Sequence, residues 1–183
     1  VCKGVVMDSA AFPSLSHIDV AKRLNEKFGL TVLIDNDLHV ATNVARKYSN
    51  YQEGITVLYA YGKRKSGSGI IANGEVLCGA SGAAGEVENI PLHTSDIESE
   101  RIAFCSERLQ TIIALMNPGR VVIYELDEGM DTDKLIGLIK SKMKPYLLPE
   151  FKLGRDFFED CFLGLSIVCE VGIKQSLRER LNF

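Results

Sequence analysis

Two short stretches carry the side chains best suited to chemistry. Asp35, Asn36 and Asp37 follow directly after a short apolar run, and Glu86 ends a loop rich in glycine and alanine. A carboxylate accepts a hydrogen bond from one hydroxyl group while a neighbouring amide bonds a second, so this pattern suits a polyhydroxylated ligand. The plainer alternatives are that Asp37 caps a helix and that Glu86 is a solvated side chain in a turn.

The loop that ends at Glu86 follows a predicted β-hairpin. Asn73-Gly74 separates two apolar runs, and Asn-Gly in that position is a strong signal for a tight turn. We therefore predict paired strands over residues 67–72 and 75–78. Glycines on both sides of the hairpin allow the backbone to approach either a ligand or another chain segment closely.

The rest of the chain predicts alternating strands and helices. A helix capped by Ser16 and ended by Gly29 comes first. Further strands are predicted at residues 4–7, 31–34, 55–61, 120–124 and 151–157, and further helices at residues 38–48, 97–116, 131–144 and 160–181. Hairpin strands followed by helix–strand–helix units predict an α/β fold, with a mixed sheet flanked by helices.

Composition limits the classes of function. The 183 residues carry a formal net charge of −3 and no long basic block, which argues against nucleic-acid binding by this segment itself. No apolar run is long enough to cross a bilayer. The five scattered cysteines predict reduced, mostly buried thiols in a cytoplasmic protein, and the three histidines stand apart from any cysteine pair, so no metal site is expected.

Four motifs then occur in a fixed order over most of the chain. They are Ile34-Asp35-Asn36-Asp37, the hairpin at residues 67–74, Gly82-Ala83-Ala84-Gly85-Glu86, and Leu115-Met116-Asn117-Pro118 leading into Val121-Val122-Ile123. In this combination the sequence resembles the ROK family, whose members include sugar-responsive repressors and sugar kinases. The resemblance implies the ribonuclease H-like fold of the actin-like ATPase superfamily.

The resemblance also implies a domain organisation and a set of ligand contacts. Residues 1–183 would be a single-domain fragment, the carboxyl-terminal lobe, with an inter-lobe region over residues 1–34. The amino-terminal lobe and any helix-turn-helix domain would lie before Val1. The residues implied to bind a sugar are Asn36, Asp37, Glu86 and Asn89, and Asp37 matches the general base of the family kinases.

The sequence departs from the family kinases at the phosphate loop. Those kinases have a Gly-Thr-Gly turn whose backbone N–H groups cradle the phosphates of ATP, and only glycine allows so close an approach. Lys63, Arg64 and Lys65 occupy that place here, followed by Ser66 and Gly67. We interpret the segment as a degenerate phosphate loop. A solvated basic loop is the simpler description, and a phosphate or partner contact is the alternative.

Two further departures concern the nucleotide and the metal. A Gly-Gly pair near the adenosine in the kinases is replaced by Tyr124 and Glu125, and Glu125 adds a negative charge where ATP brings several. Asn89 replaces a family histidine, and residues 93–100 replace a cysteine-rich zinc loop. Asn89 is a poor zinc ligand, so neither a metal nor a cofactor is expected.

These observations favour the effector-binding and oligomerisation region of a ROK-type transcriptional regulator without kinase activity. Its effector would be a sugar or sugar phosphate, its assembly a homodimer or higher homo-oligomer, and its DNA contacts confined to an upstream helix-turn-helix domain. One alternative is an ATP-dependent sugar kinase with a divergent phosphate loop and Asp37 as catalytic base. Another is a dimerisation scaffold that has lost its ligand. His39 is expected to be structural or at the rim of the pocket.

Overall fold

A computed structural model describes residues 5–7, 12–48, 54–62, 65–90, 98–127, 129 and 131–181. The described strands are β1 (Val5–Val6), β2 (Ile18–Asp19), β3 (Ile55–Tyr61), β4 (Ser66–Ala72), β5 (Glu75–Val76), β6 (Arg120–Glu125) and β7 (Glu150–Leu153). The described α-helices are α1 (Val20–Phe28), α2 (Asp37–Tyr48), α3 (Glu98–Met116), α4 (Thr132–Lys142) and α5 (Phe157–Leu181). None of these helices is both long enough and apolar enough to cross a membrane.

Five of the strands form one mixed sheet in the order β5-β4-β3-β6-β7. Strand β3 is antiparallel to β4 and parallel to β6, and β7 adds a parallel strand at the edge. The predicted mixed sheet is therefore confirmed. The predicted hairpin is also present: Asn73 (φ 52°) and Gly74 (φ 81°) both have positive φ, which suits the tight turn between β4 and β5.

The central strand β3 is buried on both faces, so its alternate residues belong to two cores. Val57, Tyr59 and Tyr61 face α3 and α4, whose apolar stripes cover that side of the sheet. Leu58 and Ala60 face α2 and the start of α5. The buried residues of the apolar stripe on α3 are Ile102, Cys105, Leu109, Ile112 and Ile113.

Glycines allow α2 to pack closely against its neighbours. A Cβ atom at Gly67 or Gly69 of β4 would collide with the side chains of Leu38 or Thr42 of α2. A Cβ atom at Gly164 of α5 would collide with a backbone carbonyl of α2. The glycines at the start of the hairpin therefore serve the approach of a second chain segment, and they place the first turn of α2 over the sheet.

The amino-terminal elements differ from the prediction. Helix α1 is capped by Asp19, whose carboxylate accepts a hydrogen bond from the N–H of Lys22 at 2.8 Å. Ser16 instead ends a 3₁₀ turn, so its assignment as the cap is wrong. The reason is that residues 18 and 19 pair with β1 and stay extended up to the start of the helix. Gly29 ends α1 in the left-handed conformation, as predicted.

The predicted strand at residues 31–34 is absent. These residues have no regular secondary structure, and Leu33 is 54% exposed. No described strand lies beside them to complete their backbone hydrogen bonds, and Leu33 instead lies against Gly172 of α5. The apolar pattern predicted a strand wrongly because a short apolar run carries no information about the strand with which it would pair.

The carboxyl-terminal elements are present with shifted bounds. The strand predicted at residues 151–157 is β7, which ends at Leu153, and the helix predicted from residue 160 is α5, which already begins at Phe157. Asp131 caps α4, accepting from the N–H of Lys134 at 2.8 Å. The expectation of mostly buried thiols is wrong for the described cysteines, since Cys105 is buried whereas Cys78 and Cys169 are exposed.

Candidate functional site

A cleft of about 410 Å³ opens at one end of the sheet's central strands. Strands β3 and β6 end there, β4 begins there, and α2 and α5 begin on its walls. Ligand sites of α/β proteins commonly lie outside the carboxyl ends of parallel strands, as this cleft does. Its lining residues are Asn36, Asp37, Leu38, Ala60, Lys65, Ser66, Gly67, Glu86, Glu88, Leu126, Asp127, Phe157 and Phe158.

Asn36 joins the two stretches that the sequence singles out. Its side-chain oxygen accepts from the N–H of Leu38 at 2.9 Å and from the N–H of His39 at 3.4 Å, so Asn36 caps α2. Its amide nitrogen donates to Oε1 of Glu86 at 3.2 Å, although the two residues are 50 positions apart. The capping role considered for Asp37 therefore belongs to Asn36, and Asp37 is the first residue of the helix.

The carboxylate of Asp37 is exposed in the cleft beside this pair. Its Oδ1 accepts from the N–H of Leu38 at 2.8 Å, which fixes the side chain at the first turn. Asn36, Asp37 and Glu86 thus present one amide and two carboxylates to the same space. Such a set accepts and donates hydrogen bonds to neighbouring hydroxyl groups of one ligand.

Glu86 reaches the cleft because the preceding glycine-rich loop is fastened to β4. The carbonyl of Gly85 accepts from both the N–H and the hydroxyl of Ser68, each at 2.9 Å. Gly85 has φ 92°, and a Cβ atom there would collide with the backbone of Ser68. This position requires glycine, because both the dihedral angle and the contact exclude a side chain.

His39 is buried and connects the start of α2 to the same loop. Its Nδ1 lies 3.3 Å from Oδ1 of Asp35, and its Nε2 lies 3.4 Å from the carbonyl oxygen of Ala84. The hydrogen bond to Asp35 raises the pKa of His39, against the opposing effect of burial. Burial alone would raise the pKa of Asp35, but its bonds with His39 and the N–H of Asn36 hold that pKa below its usual value.

Only part of the predicted phosphate loop falls within the described residues. Lys63 and Arg64 fall outside the described residues, and Lys65, Ser66 and Gly67 line the cleft. The hydroxyl of Ser66 accepts from the guanidinium of Arg108 at 3.0 Å, and both residues are buried. A hydrogen bond from α3 therefore fixes Ser66, the first residue of β4.

Negative charge dominates the described lining of the cleft. Asp37, Glu86, Glu88 and Asp127 carry carboxylates, and Lys65 is the one cation among the described lining residues. Burial, and then the charge of Glu86, raise the pKa of Glu88. These four carboxylates would repel a ligand that adds further negative charge.

Tyr124 and Glu125 are engaged within the protein. The Tyr124 hydroxyl donates to Oδ2 of buried Asp160 at 2.7 Å, and its ring lies so close to Gly154 that a Cβ atom there would collide with it. The Glu125 carboxylate accepts from the hydroxyl of Thr132, which in turn accepts from the hydroxyl of Tyr61. Both side chains are therefore hydrogen-bonded within the protein, although Glu125 is also exposed.

Asn89 lies apart from the cleft lining. Its amide donates to the backbone carbonyl of Glu86 at 3.3 Å, and the residue is exposed. Its contact with a sugar stays a prediction. Among the described residues, no group of three or more His, Cys, Asp and Glu side chains lies close enough to hold a metal ion.

The sequence matches a family model. The model of the ROK family covers residues 3–108, more than half of the 183-residue chain. The chain belongs to the ROK family. The resemblance drawn from the four motifs is thereby confirmed, and the matched span includes Asn36, Asp37 and Glu86. No curated protein matches the sequence.

Solved ROK structures share the fold. The ROK hexokinase from Thermus thermophilus is 14% identical with a TM-score of 0.71, covering 95% of this chain and 77% of its own. The inorganic polyphosphate/ATP-glucomannokinase from Arthrobacter sp. strain KM is 18% identical with a TM-score of 0.65, covering 94% and 70%. A ROK family transcriptional regulator, a homolog of the E. coli MLC protein, is 15% identical with a TM-score of 0.56, covering 82% and 54%.

These likenesses confirm the predicted fold class, a mixed sheet flanked by helices. They include kinases and a regulator, so fold alone does not separate the two activities. Sequence reasoning missed several residues of the cleft, namely Glu88, Asp127, Phe157 and Phe158. Nothing in the local pattern marks them, because Glu88 follows the Glu86 loop, Asp127 follows β6, and Phe157 and Phe158 begin α5, and only the assembled fold brings these segments together.

Proposed function

We propose that this chain is the effector-binding and self-associating region of a ROK-type transcriptional regulator, and that it lacks kinase activity. The observation that carries the proposal is the open cleft in which Asn36, Asp37 and Glu86 converge. The amide and the carboxylates are placed to bond adjacent hydroxyl groups, which is the recognition that a sugar requires.

The charge of the cleft narrows the class of effector. The carboxylates of Asp37, Glu86, Glu88 and Asp127 share the space with the single described cation, Lys65. Two unit charges 4 Å apart near a protein surface interact by about 4 kcal/mol, so these carboxylates would repel an added phosphate, and among the described lining residues Lys65 alone would attract it. An unphosphorylated sugar, or an amino sugar whose ammonium group faces the carboxylates, fits better than a sugar phosphate.

The apolar wall supports the same ligand class. Leu126 and Phe157 also line the cleft, and Phe158 adds an exposed ring, with 64% of its surface accessible. A pyranose presents C–H groups on one face and hydroxyl groups at its edges. The ring would therefore lie with its apolar face toward these side chains and its hydroxyl groups toward Asn36 and Glu86.

Binding of a nucleotide has less support from the cleft than binding of a sugar. Lys63, Arg64 and Lys65 stand where the family kinases have their Gly-Thr-Gly turn, and Tyr124 and Glu125 are hydrogen-bonded to Asp160 and Thr132. A kinase remains the second candidate because the Asp37 carboxylate is open to the cleft, as a general base must be. The open cleft speaks against a scaffold without a ligand.

Thermal-shift screening of the purified protein tests the proposal. The panel contains neutral hexoses, amino sugars, their phosphates and ATP, because these differ in the charge that they bring to the cleft. We expect at least one unphosphorylated sugar to raise the melting temperature in proportion to its concentration, as ligands that bind the folded state do. No shift with any sugar would overturn the proposal. Sugar-dependent ADP release that disappears in D37N would favour the kinase.

A further inference from the structure

His39 connects the start of α2 to the loop that carries Glu86. The proposed function requires these two parts of the cleft to keep a fixed relative position. Its side chain is 5% exposed and lies on the first turn of α2, one turn after the segment that carries Asp35 and Asn36. Its second ring nitrogen faces the carbonyl of Ala84, two residues before Glu86. Among the described side chains, Asn36 is the one other that hydrogen-bonds both the start of α2 and this loop, through its bond to Glu86.

The number of N–H groups on the ring decides which protonation state of His39 suits its two hydrogen-bond partners. Both partners, the Asp35 carboxylate and the Ala84 carbonyl, only accept hydrogen bonds in the states they adopt here. A neutral imidazole has one N–H and leaves its other nitrogen lone pair facing an acceptor oxygen. The imidazolium has two N–H groups and satisfies both partners. Buried polar groups that face one another without a proton between them are unfavourable.

The charges around His39 act in the same direction. Asp35 approaches from the segment before α2, and Glu86 contributes a second negative charge from the loop. Both favour the protonated ring, whereas burial opposes it. Since the favourable interactions outweigh burial, the pKa of His39 is raised in the folded protein.

We propose that His39 is a positioning residue whose protonated ring clamps the loop that carries Glu86 to the start of α2, so that effector affinity is higher in mildly acidic than in alkaline solution. The clamp aligns Glu86 with Asn36 and Asp37. At pH values above the raised pKa of His39, loss of the proton leaves one ring nitrogen facing an acceptor, and the loop can part from the helix. This inference rests on the proposed function for its effect on affinity, but the clamp itself does not require a ligand.

The sign of the pH dependence follows from linkage. A group whose pKa is raised on clamping stabilises the clamped state fully below its pKa in the open state, which is about 6.5 for an unperturbed histidine. That stabilisation is lost as the pH rises through the pKa of the clamped state. Glu88, with its raised pKa, titrates toward the charged form in the same direction of pH, so variants of His39 are needed to separate the two.

Hydrogen exchange measures the clamp without any ligand. The amides of Ala84 and Glu86, bonded to the carbonyls of Cys78 and Ala83, report on opening of the loop. After correction for the intrinsic pH dependence of exchange, we expect their protection to fall about threefold to tenfold between pH 6 and pH 8.5, since each unit of difference in pKa allows a factor of ten. In H39Q, whose residue 39 cannot titrate, the part of this fall that His39 causes should disappear, leaving only any contribution of Glu88.

Two further variants keep the test decisive. H17N changes an exposed histidine with φ 63°, a conformation that asparagine tolerates, and should leave the pH dependence of the loop unchanged. D35N removes the acidic partner and should move the fall in protection to lower pH even if H39Q folds poorly. Equal protection in the wild type at pH 6 and pH 8.5, or an undiminished pH dependence in H39Q, would overturn the clamp.

Binding measurements then separate the clamp from the proposed function. With a sugar that responds in the thermal screen as probe, wild-type affinity should fall across the same pH interval, and the affinity of H39Q should not. If no sugar binds at any pH but the loop still shows His39-dependent protection, the proposed function fails and the clamp stands. If a sugar binds with pH-independent affinity, the clamp fails as a control of binding and the proposed function stands.

Discussion

Asn36 performs two tasks that a single substitution can separate. Its oxygen caps α2, and its amide nitrogen donates to Glu86. The sequence identifies Asn36 as a polar residue before a helix, but it does not show that the partner is Glu86, because contacts between residues 50 positions apart depend on the whole fold. The same limit applies to His39 and Ala84.

Replacing Asn36 by Asp should abolish effector binding without unfolding the protein. Aspartate caps a helix about as well as asparagine, so the free energy of unfolding should change little. The new carboxylate would lie against Oε1 of Glu86, where the amide now donates, and the two would repel. N36A should instead lose about 1 kcal/mol of stability through the missing cap. Urea denaturation and calorimetric titration measure the two effects, and a stable N36D with unchanged affinity would contradict the assignment.

Tyr124, the buried tyrosine of β6, gives a second test at the scale of single residues. The Tyr124 hydroxyl is the close partner of Oδ2 of Asp160, which is 6% exposed. Y124F would leave that carboxylate oxygen without the donor, and we expect a loss of about 1–3 kcal/mol in the free energy of unfolding. Y146F is the control, since Tyr146 is 76% exposed and should be near neutral. Equal stability of both variants would show that the bond contributes nothing.

At the scale of elements, the cleft depends on how closely α2 approaches α5 and β4. Strands β3 and β6 and helices α3 and α4 follow from hydrophobic periodicity and from strong stop signals such as Asn117-Pro118, so the sequence predicts them well. The segment at residues 31–34 was predicted wrongly because pairing, and not pattern, decides whether an apolar run becomes a strand. The glycines that set helix spacing are visible in the sequence, but their contacts are not.

Gly164 tests the contribution of helix spacing. In G164A the new methyl group would collide with the carbonyl of Val40, and the shift of α5 from α2 should cost about 1–3 kcal/mol in the free energy of unfolding. Gly137 of α4 is a matched control, because a Cβ atom there meets nothing within 4 Å. G137A should stabilise the protein by about 0.5–1 kcal/mol through helix propensity. Equal effects in both variants would refute the role of close packing.

At the scale of the whole molecule, family membership and fold were predictable, whereas the choice between regulator and kinase was not. Four motifs in order identify the ROK family, and the family model and the mixed sheet confirm that identification. The two activities share one fold, so the choice depends on the charge and the free space of one cleft. Those properties come from residues such as Asp127 and Phe158, which enter the cleft only when the sheet and helices have assembled.

The most direct test of the central claim is calorimetric titration of one preparation with an unphosphorylated sugar from the screen and, separately, with magnesium ATP. The carboxylate-lined cleft and the engaged side chains of Tyr124 and Glu125 predict saturable heat from the sugar and none from ATP at millimolar concentration. Saturable binding of ATP, lost when Lys65 is replaced by Glu, would contradict the claim that this cleft recognises a sugar and excludes the nucleotide.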